Sequence, residues 1–275
     1  MRRANADVSA PLTSLSRRTL PSGETCYGDR NAVNGPTERQ RVTIAYFVTF
    51  HDPQNPSARV SEADLARVVE VVRTTPRLRK GLVFTPEQTR DPYVKDPPSP
   101  PLALELYFAD IADLEAAISS SGHLQALAAR ASLPSLARAD VSQQAMIARS
   151  FPVPDPVFRT LSGERPCTYL VHYPGWAEDL NDWLTHYIDS HTPVMARFPG
   201  IREVEVCTRL DWCSAVPWPR VHYMQRNKVV FDSPAALTAA LNSPVRQEMR
   251  ADFAKFPAFS DGARHYPMAT LTLTP

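Results

Sequence analysis

A chain of 275 residues with 43% hydrophobic content is long enough for one large or two small packed domains. Its 30 basic and 29 acidic side chains leave a net charge of +1, which speaks against nucleic acid or an anionic membrane as the partner. Four cysteines, Cys26, Cys167, Cys207 and Cys213, form no CxxC pair, the pattern of reduced thiols in a cytoplasmic protein, and no run approaches the ~18 apolar residues of a membrane span.

Residues 1–40 hold few large apolar groups, many turn formers and more arginines than acids, and they lack the apolar run of a secretory signal. That composition predicts a disordered extension. From residue 41 the pattern turns globular. VTIAYFVTF, 42–50, predicts a strand, and Ser61-Glu-Ala-Asp64 opens a helix carrying Leu65, Val68, Val69 and Val72 at helical spacing. Thr74-Thr75-Pro76 ends or bends that helix, and 81–84 suggests a short strand. A proline-rich loop over 91–101 leads to a strand at 102–108, a helix over 110–131 weakened by Gly122, and a strand over 144–151. These elements make a first unit over 41–152.

The same order returns over 165–275. Strands are expected at 167–173, 201–208, 220–231 and 265–273, with helices at 179–198 and 234–256. Asp64-Leu65…Thr74-Thr75-Pro76 lies over Asp179-Leu180…His191-Thr192-Pro193, and LYFADIADLEAAI (106–118) lies over VVFDSPAALTAAL (229–241). Each unit reads β-α-β-β-α-β, the ferredoxin-like plan with both helices on one face of an antiparallel sheet. The uncovered sheet face needs a partner, and the twin unit is the obvious one. The fold class expected is α+β, two fused ferredoxin-like repeats packed sheet to sheet as an α/β barrel within one chain.

The helix over 179–198 carries Trp183, Leu184, Tyr187 and Ile188 on one face, then meets His191-Thr192-Pro193. A residue before proline avoids helical dihedrals, so a kink near His191 is expected. A His near pKa 6.5 at such a kink can shuttle protons, and the first repeat has Thr74 in its place. The competing reading makes His191 a satisfied core residue. Strand alternation puts Tyr169, Val171 and Tyr173 on one face and Leu170 and His172 on the other; Tyr223, Gln225 and Asn227 alternate with Met224, Arg226 and Lys228. Trp212 and Trp218 flank Pro217 in a loop that either covers an apolar substrate or plugs the barrel end. Asp252 either orients a histidine or pairs with Arg250 or Lys255 on an exposed helix face. No phosphate loop, G-x-S-x-G elbow or HExxH is present, against nucleotide, α/β-hydrolase and zincin chemistry.

YLVHY, WLTHYIDSHTPVMARFPGIREVEV, YMQRNKVVFDSPAALTAAL and MRADFAKFP resemble the EthD-type branch of the dimeric α/β-barrel superfamily, with His191 to Gly200 the most specific stretch. The resemblance covers 165–273; residues 42–151 are similar to the same module more weakly. It implies a pocket between sheet and helices where His191 and Asp252 serve as catalytic pair and Tyr169, Tyr187, Tyr223, Trp183, Trp218 and His265 contact substrate. The implied activity is His-based acid/base chemistry without cofactor or metal on a cyclic or aromatic-derived small molecule, in catabolism or secondary metabolism: isomerisation, dehydration or cyclisation. A haem-dependent or cofactor-free monooxygenase and a non-catalytic binding protein are the alternatives, and pairing of two chains into a homodimer is compatible with all three.

Overall fold

The computed structural model describes residues 43–89, 91–95 and 97–275. The expectation for 1–40 falls outside these residues. In the first half, β1 (Thr43–His51), α1 (Glu62–Arg73), β2 (Lys80–Pro86), β3 (Leu102–Phe108), α2 (Ile111–Ala117) and β4 (Asp140–Phe151) follow in order. The second half supplies β5 (Cys167–Tyr173), α3 (Leu180–His186), α4 (Thr192–Met195), β6 (Ile201–Arg209), β7 (Gln225–Phe231), α5 (Pro234–Leu241), α6 (Pro244–Phe253) and β8 (Arg264–Leu273). Asp179 and Ser233 cap α3 and α5 by accepting from Asp182 N and Ala236 N, each such cap contributing about 1 kcal/mol. Ser61 caps α1 likewise, accepting from Asp64 N. No helix among the described residues is long and apolar enough to cross a membrane.

The strands form one closed antiparallel barrel in the order β1-β3-β2-β8-β5-β7-β6-β4. Each half contributes a ferredoxin-like run, β4-β1-β3-β2 and β8-β5-β7-β6. The register repeats as well: Ile44 faces Phe108 and Cys167 faces Phe231, each partner 123 positions further on. The halves face each other across the barrel interior and also join edge to edge, through β2–β8 and β4–β6, so no strand edge is left to aggregate.

Two expected helices break. The helix over 110–131 stops at Ala117 and short 3₁₀ turns follow; the chain folds back so closely there that a side chain at Gly122 would stand 2.3 Å from the Ala117 carbonyl. The helix over 234–256 divides at Asn242-Ser243, with Pro244 opening α6. The strand expected over 220–231 begins only at Gln225. Its first residues bond to β4 and β5 instead: Val221 N donates to Gln143 O and Met224 N to Tyr173 O. The kink expected at His191 is a π turn over Tyr187–His191. Thr192 keeps helical dihedrals before Pro193, φ −62° and ψ −42°, and its N–H and hydroxyl both reach Tyr187 O, five residues back. The wider turn relieves the crowding that proline imposes, and π turns of this kind recur at functional sites.

Sheet alternation sorts side chains into three layers. Outward residues of β1 and β3 meet α1 and α2 in one apolar core, outward residues of β5 and β7 meet α3 to α6 in another, and inward residues fill the barrel. The barrel interior carries charge. Lys228 Nζ lies 2.5 Å from Glu205 Oε1 and 3.3 Å from Glu105 Oε2 and donates to Tyr107 Oη. Burial pushes the Glu105 carboxyl up to about 8 despite Lys228. The donor atoms of Glu105, Glu205 and Cys207 cluster as metal ligands do, but the Lys228 ammonium already supplies their cation.

Candidate functional site

In the second half the space between sheet and helices is hollow. A cavity of about 520 Å³ lies between the outer faces of β5 and β7 and helices α3 to α6. Tyr169, Val171, Tyr173, Asn227, Val229 and Phe231 form its floor, as period-two alternation dictates; Tyr187, His191, Met195, Leu237 and Met249 descend from the helices, and His265 closes one end. Volume and lining fall in the range of small-molecule pockets.

His191 and Asp252, 61 positions apart, meet at 2.7 Å through Nδ1 and Oδ2. The π turn sets the imidazole on the cavity side of its helix, and α6 brings the carboxylate behind it. His186 Nε2 approaches the other oxygen, Oδ1, to 3.3 Å without hydrogen-bond geometry. His191 is 4% exposed, with Tyr187 at 5.0 Å and Phe256 edge-on at 4.9 Å. Burial lowers its pKa, and the opposing pull of Asp252 does not overcome it. The imidazole is therefore neutral at pH 7. With Nδ1–H donated to Asp252, Nε2 presents a lone pair to a ligand.

Tyr169, Tyr187 and His265 line the same cavity, and Tyr169 stacks on His265 with centroids 5.2 Å apart. Trp183 does not line it; it is fully buried behind the wall and stacks on Tyr187 at 5.2 Å. Tyr223 lies elsewhere, over the guanidinium of Arg226 at 4.5 Å and beside His172. Trp218 sits in the other half, edge-on to Phe50 within the first apolar core. It closes no barrel end: it lies in the helix–sheet layer of the first half, where it borders a cavity of about 440 Å³ with Phe50 and Leu136.

Sequence reasoning missed the roof. Tyr93 and Val94, in the proline-rich loop of the first half, line the cavity of the second. Asp91 anchors that loop: its Oδ2 accepts from Arg246 Nη2 at 2.7 Å and Nε at 3.1 Å, and from Tyr169 Oη at 3.3 Å. Tyr93 lies over the Arg250 guanidinium at 4.4 Å. The signal available was a lone Asp and Tyr among prolines, with no periodicity to aim them.

No family model matches this chain, and no curated protein does. Solved structures do. An anthrone oxidase-like protein matches with a TM-score of 0.55 at 12% identity, over 86% of this chain and 94% of its own. This chain has the dimeric α/β-barrel fold. The architecture expected from the EthD-type resemblance is thus the one observed, with both barrel halves in one polypeptide. A protein described as a candidate monooxygenase from Fusobacterium nucleatum subsp. nucleatum ATCC 25586 matches at 0.49 and 9% identity, covering 85% of this chain and 94% of that one. An ethyl tert-butyl ether D (EthD) family protein from Bacillus halodurans C-125 matches at 0.29 and 18% identity, over 36% of this chain and 95% of its own.

Proposed function

We propose that the second half of the dimeric α/β barrel is the active site of an enzyme that moves a proton on a cyclic or aromatic-derived small molecule. The reading is carried by one observation: His191, held at Nδ1 by Asp252, opens onto a cavity walled mostly by apolar and aromatic side chains. His191 Nε2 takes a proton from a carbon next to a carbonyl, and the C–H electron pair moves onto the carbonyl oxygen. Asp252 orients the imidazole and stabilises the imidazolium that forms. Returning the proton to another carbon gives an isomer. Delivering it to a departing hydroxyl gives a dehydrated product. Tyr169, Tyr187 and His265 hold the ring, and the loop of Tyr93 and Val94 keeps water off the reacting atoms.

A second reading draws on the fold neighbour described as anthrone oxidase-like: the carbanion made by the same base forms a C–O bond with dioxygen, the peroxide takes up the proton from His191, and loss of water across its O–O bond leaves a ketone. A haem reading is served by the same residues, since His191, its Nδ1 held by Asp252, would hold the iron through Nε2. Haem would supply redox chemistry there, with His191 as its holder. A Soret band in the purified protein would move His191 to that role.

Solvent exchange tests the proton-transfer reading without knowledge of the product. Cyclic ketones are incubated with the protein in D₂O and their α-protons followed by NMR. The wild type is expected to accelerate exchange, and folded His191→Ala protein to lose that acceleration. Equal exchange by both proteins, with a lowered melting midpoint for the variant, would return His191 to the core.

A further inference from the structure

The floor of the cavity carries an amide with no folding role. Asn227 sits mid-strand on β7, 4% exposed, between the apolar outward residues Val229 and Phe231 on one side and Gln225 on the other. Its Oδ1 has no hydrogen-bond partner, and its Nδ2 donates only to Met195 Sδ at 3.5 Å, a weak acceptor. Met195 stands one helical turn beyond His191, so this amide belongs to the His191 side of the cavity. At the equivalent register of the first half, β3 carries Leu102 and Leu104, both fully buried in apolar contact. The same strand in the same fold is therefore built with leucines; the Asn227 amide answers to something else.

We infer that Asn227 is the specificity-determining residue of the cavity, and that its ligand is a hydroxylated ring, a phenol or cyclic enol, whose O–H donates to Asn227 Oδ1. A hydroxyl suits the site in either amide orientation, since it donates to Oδ1 or accepts from Nδ2. The rest of the ring contacts Val171, Val229, Leu237 and Met249. Placed there, the hydroxylated ring lies beside His191 Nε2, the base of the proposed reaction. The inference rests on the cavity being the ligand site; it does not require that His191 be catalytic.

Binding of 2-naphthol and of its non-hydroxylated isostere 2-methylnaphthalene, measured by fluorescence titration, tests it. The ratio of their dissociation constants in the wild type should shift against 2-naphthol by about tenfold or more in Asn227→Leu, because the amide left unpaired by the isostere is gone. Leu104 shows that leucine fits the equivalent place. The wild type alone gives a second readout: the Asn227 side-chain amide resonances should move with 2-naphthol and stay with 2-methylnaphthalene. An unchanged ratio, an unmoved amide, or no binding of either probe overturns the inference. Repeating the titration in His191→Ala separates the two claims, since an unaltered ratio there, with exchange activity lost, leaves both standing, and a failure of exchange alone touches only the catalytic one.

Discussion

The two halves of the barrel share strand order and register and differ in what lies between sheet and helices. In the first half that layer is packed at its centre, where Tyr46, Val48, Leu104, Leu106 and Phe108 meet Val68, Val72 and Leu114, and a cavity of about 440 Å³ lies to one side, bordered by Phe50, Trp218 and the 3₁₀ turns. In the second it is hollow, floored by Asn227 and roofed by Tyr93. Loops are exchanged. A loop of the second half, with Val216 and Trp218, packs into the first; a loop of the first, with Asp91 and Tyr93, covers the second. One fold thus carries two differently filled layers, and the difference lies in a few residues on β3 and β7 and in two long loops.

The largest expected effect belongs to the hollow half. His191→Ala should lower turnover by about 100- to 10,000-fold, the usual weight of a general base, with the protein still folded. A stopped-flow or exchange assay beside a melting curve reads both. The first half should answer in the opposite currency: Trp218→Ala is expected to cost about 3–5 kcal/mol of stability by denaturant titration, because it removes a buried indole from an apolar core, while activity per folded molecule stays near wild type. A loss of activity there would return Trp218 to a ligand-contacting role. Moving one half towards the other sharpens the contrast. Asn227→Leu, which copies the first half, should raise stability by about 1–3 kcal/mol, since a buried unpartnered amide is removed.

Acid should act on the hollow half through its base. Burial holds the pKa of folded His191 below the unfolded value of about 6.5. Below that pH the unfolded chain binds the extra proton first, so this contribution to stability is present above about 6.5 and is lost as pH falls through the folded value. Turnover should fall over the same acidic window, with an apparent pKa below that of free histidine. His172 and His51, lowered by burial in the barrel, add to the stability loss but not to the turnover limb. At the roof the effect should fall on stability. Asp91→Asn removes the charge that the largely buried Arg246 grips, which should cost about 3 kcal/mol or more by denaturant titration, while amide exchange over 91–95 quickens.

Periodicity made the scaffold legible. Alternation along CTYLVHY and QRNKVVF separated Tyr169 and Val171 from Leu170 and His172, and Asn227 from Arg226 and Lys228, but which set faces the barrel interior is decided by the other half. Proximity of His191 and Asp252 was legible only through family resemblance, since neither helix period nor spacing relates residues 61 apart. The roof was not legible at all: proline-rich 91–101 has no period, and its contacts are fixed by an ion pair 155 positions away. Trp218 and Tyr223 misled because aromatic character reports burial, not which of two equivalent layers does the burying. The segment before Gln225 misled because its backbone bonds run to β4 and β5 and not to a continuous ladder.

The buried contact between Glu105 and Lys228 bears on ancestry. These residues are 123 positions apart, the same offset that relates the strand registers, so they are each other's counterparts and touch across the centre of the barrel. A barrel assembled from two copies of the first half would set glutamate against glutamate at this position, and one from two copies of the second would set lysine against lysine. Two carboxyls can share a proton in such a place, as the raised Glu105 carboxyl beside Glu205 illustrates, whereas two ammonium groups have no such recourse in a dry interior. The mixed pairing therefore favours the joined chain over a self-paired second half.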